Sequence, residues 1–200
     1  MARTCFPNCS DEALVHEIIK VSFTMLNYKN KIFFLDLDKE LKKISEKIEE
    51  LKFPQGFLEY VLYVISEILV NVKEHSRAKS ISLNIRINQQ RCRIDIRDDG
   101  IGFRESYLRK KIYPKDDFSA IEFALSGLST KDPRERGFGL YSIRKLVETL
   151  GGILIIETGL ARAIIKKNKI NFLKVSKKRQ GVLINIESSV KSISFYKIIK

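Results

Sequence analysis

Cysteine is scarce in this 200-residue chain, with three residues in all, and histidine is scarcer, with two. Three thiols cannot make a disulfide scaffold, and the odd number suits a reducing compartment. Cys5 and Cys9 would open a zinc site only with two further ligands, and His16 alone stands near, so two ordinary thiols are the plainer expectation. Cys92, inside an alternating segment, is expected to pack as a small hydrophobe. No apolar stretch approaches the length that spans a bilayer, and the start lacks the apolar run of a signal peptide. A cytoplasmic protein with no membrane contact is expected. Internal repeats and low-complexity runs are lacking too. With 44% hydrophobic and 30% charged residues, the chain reads as one globular domain with a small appendage.

Acid is missing from one place in particular. The formal charge is +13, and residues 160–180 carry Arg162, Lys166, Lys167, Lys169, Lys174, Lys177, Lys178 and Arg179 with no Asp or Glu, a local charge of +8. Such a block faces nucleic acid, an acidic partner or solvent, and charge alone does not choose.

Hydrophobic spacing lays out the elements. Leu14, Val15, Ile18, Ile19 and Phe23 predict a helix over 11–25, residues 31–37 read as a short strand, and Leu41, Ile44, Ile48 and Leu51 predict an amphipathic helix over 38–52. Pro54-Gln-Gly56 ends it, and a more apolar helix follows over 57–74. Residues 80–88 and 91–97 alternate as a hairpin across Gln89-Gln90. Residues 103–136 show little sheet signal and read as a long lid, with one short helix opened by a capping box at Ser119 and Glu122 and stopped by Gly127. A helix then starts at Gly139, and strands are expected at 153–158, around 170–175 and at 182–187.

Three short patches carry the chemistry. The first, Glu67-Ile-Leu-Val-Asn71-Val-Lys-Glu-His75, places Glu67, Asn71 and His75 on one face of an otherwise apolar helix, at about 3.6 residues per turn. Polar groups on so apolar a helix need a partner or a ligand. The second, Asp98-Asp-Gly100-Ile-Gly102, sets a carboxylate at a strand end beside two glycines, where backbone can approach a flat ring; its bland reading is an Asp-Gly turn. The third, Gly137-Phe-Gly139-Leu140, bares backbone N–H groups at a helix N-terminus, a natural anion site.

In this order the patches resemble the N box, G1 box and G2 box of the GHKL ATPases, the superfamily of gyrase B, MutL, heat-shock chaperones, sensor histidine kinases and anti-sigma serine kinases. The resemblance covers roughly residues 57–187. It implies an α+β fold of the Bergerat type, a two-layer sandwich with a mixed sheet, helices on one face and a long ATP lid. Residues 1–53 would be an extension (helix, strand, helix) of unknown role, 54–188 the ATP-binding domain, and 189–200 a tail.

The implied ligand is Mg-ATP. Asn71 would be the single protein ligand of Mg2+, which keeps several waters. Glu67 would be the general base, and His75 would steady phosphate or metal-bound water. Asp98 would take the exocyclic amino proton of adenine and so reject guanine, with Asp99 the more exposed neighbour. Gly100 and Gly102 would border the base, and Gly137, Gly139 and Leu140 the phosphates. Lys131, Arg134 and Arg136 in the lid would close over the β- and γ-phosphates, or simply be solvated.

The chain departs from the family where Gly-Thr often precedes the last strand. Gly181-Val182 stands there, which leaves Thr158 or a water to supply the missing hydroxyl.

No long helical hairpin surrounds His16, which argues against a phospho-accepting histidine, and the chain has no room for a transducer domain. The Glu67, Asn71, His75 spacing resembles most the stand-alone anti-sigma-type serine/threonine kinases and their bacterial relatives that partner STAS-like proteins. A Mg-dependent protein kinase or ATPase regulating a partner is expected, with an ATP-dependent switch as the alternative. A nucleic-acid-associated ATPase ranks lower, and a homodimer is left open.

Overall fold

Residues that alternate in polarity become strands that pair antiparallel. A computed structural model of the chain describes residues 17–28, 31–34, 42–46, 49, 53–127 and 139–198. Among the described residues the sheet has six strands: β1 (Glu17–Tyr28), β2 (Lys31–Phe34), β3 (Ser80–Ile87), β4 (Arg91–Asp98), β5 (Ile153–Lys166) and β6 (Lys169–Ser189). Their spatial order is β2-β1-β3-β4-β6-β5, and each neighbouring pair is antiparallel. The expected mixed sheet is corrected accordingly: β1–β2, β3–β4 and β5–β6 are hairpins and so antiparallel, and the β1–β3 and β4–β6 pairings continue that pattern across the sheet.

The register stacks apolar residues in rows across the sheet. Ile85, Ile94, Ile186 and Leu154 are successive partners, as are Leu83, Ile96, Ile184 and Ile156, and all eight are buried. The other face is polar. There Asp95 accepts hydrogen bonds from Arg86 (2.7 Å), Arg93 (3.1 Å) and Asn185 (2.6 Å). Period-two alternation thus separates a core face from a solvent face.

Helices cover the apolar face. They are α1 (Phe57–Asn71), α2 (Gly102–Arg109), α3 (Asp117–Leu125), α4 (Gly139–Thr149) and the short α5 (Phe195–Ile198). Gly56 adopts φ 79° ahead of α1, and Phe57 N–H donates to the Pro54 carbonyl at 3.1 Å, so Pro-Gln-Gly sets the entry angle. Phe57, Tyr60, Val61, Val64, Ile65, Ile68 and Leu69 of α1 are buried. Each such side chain contributes roughly 1.5–3 kcal/mol, which outweighs the modest helix propensity of the β-branched members. The result is the expected α+β sandwich of two layers.

Several element expectations change. The helix expected over 11–25 is strand β1 in its described part, paired with β3 from Glu17↔Ile87 to Thr24↔Ser80. A short apolar run fits either period, and the open edge of β3 decides. Residues 42–46 and 49 of the next helix are helical, and Ile44, 1% exposed, joins the main core. Residues before 53 therefore supply both sheet edge and core. The tail is tied down as well, since Ile193 N–H donates to the Gln55 carbonyl at 3.0 Å.

The three strands expected after Gly152 are two long ones. They turn at Lys167 and Asn168, with φ of 49° and 60°, the left-handed pair that a two-residue hairpin uses.

Candidate functional site

Glu67 and Asn71 lie one turn apart on α1, and the N-terminus of α4 comes to meet them. A Cβ added to Gly139 would stand 3.5 Å from Asn71 Nδ2 and 3.8 Å from Glu67 Oε2. The first and third sequence patches are thereby in contact. Leu140, the next residue, is 7% exposed and belongs to the hydrophobic core.

His75 lies just past the end of α1. After Asn71 the α-helix gives way to a π-helical turn over Val72–Ser76. His75 Nε2 stands 3.6 Å from Glu74 Oε2. The same turn positions Ser76. Its hydroxyl donates to the Val72 carbonyl (2.7 Å) and accepts from Ala78 N–H (2.9 Å), while its carbonyl accepts from Ile101 N–H at 2.8 Å. Ser76 thus fastens the second patch to the end of the first, a role with no sequence signal.

Asp98 ends β4 and is 3% exposed. Its Oδ1 accepts from Gly100 N–H (2.8 Å) and its Oδ2 from Val182 N–H (3.2 Å). Burial pushes its carboxyl up to about 6, against the pull of those two N–H groups. Each oxygen keeps a second lone pair for a further donor. Glycines clear the space around it: a Cβ on Gly100 would collide with the Ser76 carbonyl, and one on Gly181, at φ 71°, with the Asp98 carbonyl. Asp99 does different work. It accepts from Lys79 N–H (2.7 Å), Ser80 N–H (2.9 Å) and the Ser80 hydroxyl (3.0 Å), so it pins the start of β3.

Gly102, at φ 76°, begins α2, and a Cβ there would come within 2.7 Å of Thr158 Oγ1. That hydroxyl, 1% exposed, donates to the Gly181 carbonyl (3.2 Å) and accepts from Phe103 N–H (3.2 Å). Thr158 is also the cross-strand partner of Val182. A buried hydroxyl therefore stands beside the position where Gly181-Val182 lacks one.

The described part of the stretch 103–136 holds two helices where one was expected. Residues 102–109 and 117–125 are helices, joined by an edge-on contact of Tyr107 with Phe123 at 5.8 Å. The capping box sits three residues earlier than expected: Asp116 Oδ1 accepts from Ser119 N–H at 2.8 Å, and Ser119 Oγ accepts from Asp116 N–H at 2.9 Å. Asp and Ser are comparable N-caps, and the reciprocal bonds of Asp116 with Ser119 set the start of the helix. Gly127 follows the helix at φ 74°, as the stop signal requires. Lys131, Arg134, Arg136 and Gly137 lie outside the described residues.

The profile of the histidine kinase-, DNA gyrase B- and HSP90-like ATPases matches residues 59–186. The chain belongs to that family. The matched stretch runs from α1 through the inner part of β6 and so contains all three patches. This member of the family is also 27% identical over 161 residues to the chemotaxis protein CheA of Borreliella burgdorferi, an alignment covering 70% of this chain and 18% of that protein. The chain thus spans less than a fifth of that relative's length. No described helix is long and apolar enough to cross a membrane.

Proposed function

We propose that this ATPase-family chain binds Mg-ATP and transfers the γ-phosphoryl group to a serine or threonine hydroxyl of a regulatory partner protein. The observation that carries the reading is Asp98: a carboxylate at a strand end, flanked by glycines and tied through Ser76 to the end of the helix that bears Glu67 and Asn71. In this reading Asp98 accepts the adenine amino proton, and Gly100 and Gly181 leave room for the base.

Gly139 opens α4, whose N-terminal N–H groups and dipole suit phosphate. Among the described residues no three His, Cys, Asp or Glu side chains gather as a metal cage. A cation would accordingly rest on the Asn71 carbonyl oxygen, phosphate oxygens and water, which suits Mg2+. Bound there, Mg2+ supplies neutralisation of the phosphate charge. Glu67 takes the proton of the attacking hydroxyl. His75, Lys131, Arg134 and Arg136 are assigned to the phosphate end, and Thr158 replaces the hydroxyl missing at Val182.

The test is incubation with labelled ATP and candidate partners, STAS-like proteins first. Label on the partner that disappears in Glu67→Ala supports transfer. Nucleotide-dependent partner binding that survives that change would make the chain a switch, and release of free phosphate without label on protein an ATPase.

A further inference from the structure

The outer half of the β5–β6 hairpin is an arm that the nucleotide reading does not use. Beyond Leu183 strand β6 has no pairing with β4, so from Thr158 outward the two strands pair only with each other, as far as Lys166↔Lys169. One face of the arm is committed inward. Ala161, Ala163 and Ile165 are buried, Phe118 of α3 meets Phe172 edge-on at 6.0 Å, and Leu160 N–H donates to Asp117 Oδ2 at 2.8 Å.

The two arginines of the arm are committed too. Arg162 and Arg179 donate to opposite oxygens of Glu157, at 2.6 and 2.9 Å, and that carboxylate is 6% exposed. Lys166, Lys167, Lys169, Lys174, Lys177 and Lys178 are left. All six are exposed, and no described residue pairs with any of them.

Their placement has a pattern. Lys166, Lys167 and Lys169 crown the tip. Near the root, β6 advances from Lys174 to Arg179 while β5 advances only from Gly159 to Ala161, and this wide bulge carries Lys177 and Lys178. Between the two lysine groups stands Leu173, an exposed large apolar side chain at 46%. An apolar centre inside a charged rim is the anatomy of a protein interface. A nucleic-acid ribbon that reads bases uses stacking aromatics or free guanidinium forks, and here Phe172 is packed against Phe118 while both arginines are held by Glu157, which leaves the lysines only sequence-independent phosphate contacts. Lysines at a strand edge also discourage self-pairing, but that purpose explains neither the exposed leucine nor the total absence of acid.

We propose that this arm is the docking surface for an acidic segment of a partner protein, with Leu173 seating an apolar side chain between carboxylates drawn to the tip and bulge lysines. The proposal deepens the partner-directed reading above and rests on it for its purpose alone. Binding is measured without nucleotide, so its failure leaves the nucleotide assignment standing.

The probe is a fluorescent ten-residue peptide with a central leucine flanked by glutamates, titrated into the full chain at about 0.15 M salt beside a 20-bp DNA duplex probe. Expected are tighter binding of the peptide than of the duplex and about tenfold weaker peptide binding in the triple variant Lys166→Gln, Lys167→Gln, Lys169→Gln. A several-fold loss is expected in Leu173→Ser, matched by replacing the peptide's leucine with serine and not additive with it. Tighter binding of the duplex, indifference to Leu173→Ser, or lysine variants that only self-associate while binding peptide unchanged would each overturn the proposal. All four substitutions are at exposed positions, and thermal melting of each variant checks that it folds.

Discussion

Strand β6 passes through two regions that handle charge differently. At Val182 its backbone donates to Asp98, a carboxylate 3% exposed and hedged by Gly100 and Gly181, where nothing larger than hydrogen fits. Along Lys169 to Lys178 it displays unpaired ammonium groups to water. The inner region concentrates one costly charge among fixed backbone donors, so its geometry is unforgiving. The outer region spreads cheap charge over an exposed surface, so its geometry is tolerant and its reach is long-range. Glu157 stands at the border: a buried acid that takes both arginines out of the outer set.

The sharpest break of this contrast is Glu67→Ala, which should lower phosphoryl transfer about a thousandfold while leaving the nucleotide-induced rise in melting temperature in place. Loss of that thermal rise together with activity would mean that Glu67 serves nucleotide binding rather than the proton. Gly181→Ala comes next. Forcing a Cβ into the Asp98 backbone at φ 71° should cost about 3 kcal/mol, read as a fall in urea midpoint; a change below the usual surface scatter would show that the corner is not tight.

Asp98→Asn probes the charge itself. The folded carboxyl holds its proton up to about 6, whereas the unfolded one releases it near 3.8. Between those pH values the folded chain binds more protons, so ligand-free stability should fall as pH rises from about 4 to 6, by up to about 3 kcal/mol. That slope should vanish in Asp98→Asn. Bound adenine favours the ionised form, so nucleotide affinity should drop below about pH 6, and the stronger melting shift by Mg-ATP over Mg-GTP should shrink in the variant. Equal shifts by both nucleotides in the native chain would remove Asp98 from base recognition.

Glu157→Gln sharpens the border. It frees Arg162 and Arg179, which are partly exposed, so the cost should be only about 1–2 kcal/mol after solvent screening, measured by denaturant melts. Duplex DNA affinity should increase as guanidinium groups join the lysines. Smallest of all is the triple substitution of Lys166, Lys167 and Lys169 by glutamine: stability should stay within about 0.5 kcal/mol. A larger fall would make the arm structural rather than a docking surface.

Much of the site could be read from residue types. Asp98 followed by glycines, Glu67 and Asn71 at helical spacing, and Gly139 at a helix start all carry local chemistry, and α1, β3, β4 and α4 followed from periodicity. The misses share a cause. Strand β1 carries an apolar run that suits helix or strand equally, and only the vacant edge of β3 settles it. The π turn at Val72–Ser76 leaves no mark in composition, yet it brings the Ser76 carbonyl to Ile101 N–H. Helix α2 was hidden because its apolar residues are few, and its buried Tyr107 packs against α3 rather than the main core.

By itself, then, the order of side chains determined the chemistry on offer: a carboxylate, an Asn and Glu pair, glycine turns and a lysine-rich block. Tertiary structure alone decided which of them meet. Gly139 faces Glu67 and Asn71, Thr158 lies beside Val182, and Glu157 claims the two arginines because distant strands and helices pair in one register. Local preferences act over a few residues, whereas burial and backbone hydrogen bonding are satisfied only by the whole sheet at once.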